Sequence, residues 1–110
     1  NAQGYGAECR GDNIFLIRGD ALLTAQATAG ILEGCTRRAV MRLAPEVGLD
    51  AREADLQRYD LYTAEECFLT GTAAELIPVI DIDGRTIGSG TPGPKTMKLL
   101  ERFRRFITEA

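Results

Sequence analysis

The sequence predicts an α+β fold, with hairpins and a mixed sheet covered by helices. Three observations point there. Apolar, branched runs at 13–18 and 77–82 each lead into a tight-turn signal, Gly19-Asp20 and Asp83-Gly84. Helical periodicity occurs behind Thr36 and again behind Pro94. The two kinds of pattern mix without a strict strand–helix–strand series, which argues against a simple parallel α/β layout.

Each element has its own local reason. Residues 5–8 (YGAE) are a short strand candidate ending at Glu8. Residues 13–18 (NIFLIR) read as a buried strand, and 21–24 (ALLT) return as its hairpin partner. The stretch 25–34 carries two glycines and no period, which predicts a loop. Thr36 is a candidate helix cap. Behind it Ala39, Val40, Leu43, Ala44 and Val47 recur at helical spacing, and Gly48 ends the run.

Residues 49–56 alternate apolar and polar, as a half-exposed strand does. Residues 58–65 predict a short helical turn capped by Asp60, and 67–70 (CFLT) a short buried strand. Gly71-Thr72 leads into 73–76 (AAEL), read as another helical turn. Residues 77–82 and 85–87 form the second predicted hairpin, and 88–94 a loop. Pro94 opens a last helix expected to bury Met97, Leu100, Phe103, Phe106 and Ile107.

Composition narrows the chemistry. A chain of 110 residues, 45% apolar, reads as a single domain. The absence of His removes His-based triads, bases and metal ligands in one step. A net charge of −3 argues against a nucleic-acid surface. No apolar run approaches the ~20 residues of a membrane span, and no secretory leader is visible, so a cytoplasmic location is expected. Cys9, Cys35 and Cys67 are too widely spaced for a Cys-x-x-Cys pair, and no metal site is expected.

Two stretches share one physical character. Glu33-Gly34-Cys35-Thr36 is a loop opening onto a helix, and Leu69-Thr70-Gly71-Thr72-Ala73 is a strand end with a Gly-Thr pair. Each would aim free backbone N–H groups and a threonine hydroxyl at an anion. Each also suits plain chain reversal and helix capping, and spacing leaves both readings open. Glu8 is equally open: a solvated carboxylate at a strand end, or an acid held against a protonated ring nitrogen.

A resemblance enters on longer runs. GYGAECRGDNIFLIRGDALLT (Gly4 to Thr24), AGILEGCTR (Ala29 to Arg37), RYDLYTAEECFLTGTAAELIPV (Arg58 to Val79) and DGRTIGSGTPGP (Asp83 to Pro94) resemble, in order, segments of the fold-type-IV pyridoxal-phosphate aminotransferases. The GDNIF and LTGTAAE forms are closest to the branched-chain amino acid aminotransferases. D-amino acid aminotransferases and aminodeoxychorismate lyases share the layout. A phosphate-ligand binding module without catalysis is the alternative from another class.

The resemblance implies roles by position. Glu8 would pair with the pyridinium nitrogen of pyridoxal phosphate. Cys35 and Thr36 would hold the cofactor phosphate through backbone N–H groups and the Thr36 hydroxyl. Thr72 would bind the same phosphate, and Thr72 with Ala73 would meet the substrate carboxylate. The substrates would be an amino acid and a 2-oxo acid, and the assembly a homodimer or larger homo-oligomer. Arg10, Cys35, Ala25-Gln26 and Gly6 depart from the family's usual residues.

The family also needs a Schiff-base lysine. The two lysines, Lys95 and Lys98, lie on the predicted last helix, outside the family's lysine motif. The chain is therefore expected to be the C-terminal part of the large domain. The lysine, the small domain and a phosphate-gripping arginine would then lie upstream of Glu8, and the chain alone would be inactive.

Overall fold

The structure, a computed structural model, describes residues 13–25, 35–71 and 75–109. Its centre is a five-stranded sheet. Strand β1 (Asn13–Arg18) pairs antiparallel with β2 (Ala21–Ala25), in the register Phe15 to Thr24 and Arg18 to Ala21. Gly19 makes the reversal at φ 62°, a conformation that costs glycine little. The first predicted hairpin therefore forms where the local signals put it.

Helix α1 (Cys35–Leu43) runs on into a 3-10 turn, Ala44–Val47. Gly48 stops it at φ 81°, its N–H directed at the carbonyls of Ala44 and Pro45. The chain then enters β3 (Asp50–Ala54), which lies parallel to β2. Thr36 is itself helical and sits inside the first described turn, so it is not the cap the sequence suggested.

Helix α2 (Arg58–Tyr62) has Gln57 at its cap position, and Asp60 is the reciprocal third residue. The Asp60 carboxylate accepts the Gln57 N–H at 2.9 Å. Asp60 thus works from inside the turn rather than ahead of it.

Strand β4 (Glu66–Gly71) pairs antiparallel with β1, and β5 (Glu75–Pro78) pairs antiparallel with β4. This corrects two expectations. Glu75 and Leu76 are strand, not a helical turn, because pairing with β4 outweighs the helix propensity of AAEL. The run 77–82 is not one strand: its first part closes the large sheet, and Asp81–Ile82 (β6) pairs with Arg85–Thr86 (β7) in a separate hairpin. Asp83 and Gly84 turn that hairpin at φ 53° and 77°.

Helix α3 (Pro94–Glu109) ends the described fold. Its buried stripe is Thr96, Leu99, Leu100, Phe103 and Ile107. Met97, expected inside, is 42% exposed. It sits about 120° around the helix from Phe103 at 100° per residue. The expected strand at 5–8 and residues 72–74 lie outside the described residues, as does the expected loop 25–34 except for Ala25, which is the last residue of β2 rather than loop.

Both faces of the sheet are covered. On one, Phe15, Ile17, Leu22, Phe68 and Leu76 meet Val40 and Leu43 of α1 and Leu99 and Phe103 of α3. Phe15 and Phe68 stack with ring centroids 5.0 Å apart. On the other, Leu16 and Cys67 pack with Ala64 and Ile87, beside Leu61 and Ile82. Coverage of both faces explains why 14–17 is a continuous apolar run rather than an alternating one.

Candidate functional site

The register places several chain positions at one end of the sheet. Asn13 opposes Thr70, and Phe15 opposes Thr24. The start of β1, the end of β2, the end of β4 and the start of β5 therefore share that end. Thr70 fastens it: its hydroxyl accepts the Asn13 N–H at 3.1 Å.

The first turn of α1 is tied to the same end. The Arg37 side chain is only 3% exposed, and its Nη2 donates to the Ala25 carbonyl at 2.9 Å. The same nitrogen meets Glu53 Oε2 of β3 at 2.7 Å. Sequence reasoning missed Arg37, which reads as one more solvated cation of an amphipathic helix. Its burial follows from the parallel β2–β3 pairing, which no local pattern announces.

Thr36 is 3% exposed, and its Oγ1 is buried with no hydrogen-bond partner among the described residues. Buried hydroxyls nearly always find a partner, so such an orphan can serve an incoming acceptor; Thr96 Oγ1, in the first turn of α3, is buried without a partner too. The N–H groups of a helix's first turn and the positive end of its dipole favour an anion. The donor set fits a phosphate. Cys35 shares this turn, with its backbone helical. Glu8, Thr72 and Ala73 lie outside the described residues; the residues flanking Thr72 and Ala73, Gly71 and Glu75, are at the same sheet end.

The opposite end of the sheet has different chemistry. Glu66 is buried, and its carboxylate accepts the N–H groups of Lys95 at 3.2 Å and Thr96 at 2.7 Å. A strand carboxylate thus satisfies the first turn of α3, which has no acidic residue of its own. A Cβ on Gly93 would overlap that carboxylate. Lys95 Nζ donates to the Gly19 carbonyl at the β1–β2 turn, far along β2 from Ala25. Lys98 is exposed on α3, on a cavity of about 380 Å³ beside Glu46 and Val47, at the other end of α1 from Thr36. Neither lysine is at the Thr36 end of the sheet.

Cys67 is buried on the second face, and burial pushes its thiol up to about 11. It acts as a small apolar residue, as expected. No group of His, Cys, Asp and Glu suited to a metal ion occurs among the described residues. No helix among them is long and apolar enough to cross a membrane.

A mixed sheet with an anion-suited helix terminus at one end agrees with what the sequence resembles, and the amino-transferase class IV family model matches residues 1–82. The chain belongs to that family. Within it, the chain is 45% identical over 107 residues to a putative branched-chain-amino-acid aminotransferase of Methanocaldococcus jannaschii, covering 97% of this chain and 37% of that protein. It is 49% identical over 104 residues to a probable one of Aquifex aeolicus, covering 94% and 33%. The crystal structure of the branched-chain amino acid aminotransferase from Thermobaculum terrenum, in its PLP-bound holo form, superposes with a TM-score of 0.81 at 40% identity, over 90% of this chain and 33% of that one. The chain thus spans about a third of the length of the relatives it matches, and the α+β architecture is theirs.

Proposed function

We propose that this chain is part of a pyridoxal-phosphate enzyme that moves an amino group between leucine, isoleucine or valine and 2-oxoglutarate. The observation that carries the reading is the orphaned Thr36 hydroxyl, buried in the first described turn of α1 in a member of this family. The branched-chain names of the relatives on which family membership rests support the substrate class.

Pyridoxal phosphate, when bound, supplies an electron-withdrawing ring that stabilises negative charge at the substrate Cα. Thr36 donates its hydroxyl to the phosphate, and the N–H groups of Cys35 and Thr36 add to the grip. By the family resemblance, Thr72 would bind the same phosphate, Thr72 and Ala73 would meet the substrate carboxylate through backbone N–H groups, and Glu8 would pair with the ring nitrogen. The cofactor-bonding lysine comes from elsewhere in the protein, because Lys95 is engaged at the far end of the sheet and Lys98 is exposed on α3. A homodimeric or larger homo-oligomeric assembly, which rests on the resemblance, and a cytoplasmic location belong to the same reading.

The test is substrate profiling of the protein expressed from its complete gene. Turnover of L-leucine, L-isoleucine and L-valine with 2-oxoglutarate supports the reading. Preferential turnover of D-alanine or of aminodeoxychorismate moves the protein to a sister activity. Absence of any turnover together with saturable pyridoxal-phosphate binding favours a binding module.

A further inference from the structure

Arg37, next in sequence to Thr36, makes polar contacts to two strands from a buried position on α1. The Ala25 carbonyl is the last described position before the segment 26–34, and Cys35 is the first after it. The Arg37–Ala25 bond therefore ties together the two ends of the segment that leads into the helix terminus. The bond to Glu53 adds β3 as a third fixed point. Two anchors on separate strands fix both the rotation and the axial position of this turn. A hydroxyl aimed at a small anion depends on both.

We propose that Arg37 is a positioning residue for the phosphate: by clamping the first turn of α1 to the end of β2 and to β3, it aims Thr36 and the adjoining N–H groups at the anion. The inference rests on the proposed pyridoxal-phosphate reading. Arg37 does not touch the phosphate itself. It sets how much the phosphate contributes to cofactor affinity.

Comparing pyridoxal phosphate with pyridoxal, which has the same ring without the phosphate, isolates that contribution. The protein from the complete gene is titrated with each, and the ratio of the two dissociation constants is the readout. Arg37→Met keeps bulk and removes the bonds to Ala25 and to Glu53, whose side chain is 44% exposed. The expected result is a phosphate-dependent ratio about tenfold smaller or more in Arg37→Met, from loss of charged hydrogen bonds, with pyridoxal binding changed less than about twofold. Because one nitrogen makes both contacts, the ammonium of Arg37→Lys can replace it and should restore most of the ratio.

In a Thr36→Val background the effect of Arg37→Met should shrink, since both then act on the same bond. If Arg37→Met fails to fold, Glu53→Gln decides, with a smaller loss in the same direction expected. An unchanged ratio in whichever of these two variants folds overturns the inference while leaving the functional reading intact. A wild-type protein that binds pyridoxal as tightly as pyridoxal phosphate overturns the functional reading itself.

Discussion

Substituting valine for Thr36 should stabilise the cofactor-free protein and weaken its hold on the cofactor. The hydroxyl oxygen is buried without a partner, in a residue 3% exposed. A buried polar group in that condition costs about 1–3 kcal/mol. Valine has nearly the same shape and a similar helix propensity, so the main change is loss of the hydroxyl. The expected gain without cofactor is about 1 kcal/mol. With pyridoxal phosphate the sign reverses. A hydroxyl bonded to a charged phosphate contributes about 1.5–3 kcal/mol, so its loss should weaken binding roughly tenfold to a hundredfold. Urea unfolding at increasing cofactor concentration measures both effects. Ligand stabilisation grows with the logarithm of concentration over dissociation constant, so the wild-type and variant curves should cross. A Thr36→Val protein less stable than wild type without cofactor would refute the reasoning.

Three further outcomes are expected. Glu66→Gln, which removes the charge that satisfies the first turn of α3, should destabilise by about 1–2 kcal/mol in urea unfolding; a change below about 0.3 kcal/mol would show that the carboxylate is dispensable. The Cys67 thiol, raised by burial from 9.0 to about 11, gives a pH dependence. Below pH 9 both states keep the proton, and between about 9 and 11 only the unfolded state releases it, so stability should fall across that window and the fall should be smaller in Cys67→Ala. Glu8→Ala, in the protein from the complete gene, should lower kcat far more than it weakens cofactor retention; turnover at the wild-type rate would remove the ring-nitrogen role.

The parts of the fold that were legible in the sequence are those with local causes. The β1–β2 hairpin needs only an apolar run and a glycine turn, and Gly48 and Pro94 mark helix ends through their own backbone limits. Long-range causes were not legible. Leu76 is strand because β4 lies beside it, and Leu99 rather than Met97 is buried because of where α3 meets the sheet. The candidate site divides the same way. Thr36 was visible from its Gly-Cys-Thr turn, although as a cap rather than as a residue within the helix. Arg37 and Glu66 were invisible, because each charge acts on an element distant in sequence.

The Glu66 bond to α3 also couples the helix to the sheet. Most helical stability in proteins comes from tertiary packing, and α3 brings no acidic residue of its own to its first turn. Its missing acceptor is supplied from a strand whose own place depends on pairing with β1 and β5. The stability of the helix over 94–109 therefore draws on the sheet. Amide exchange along that helix reports on a strand it never pairs with.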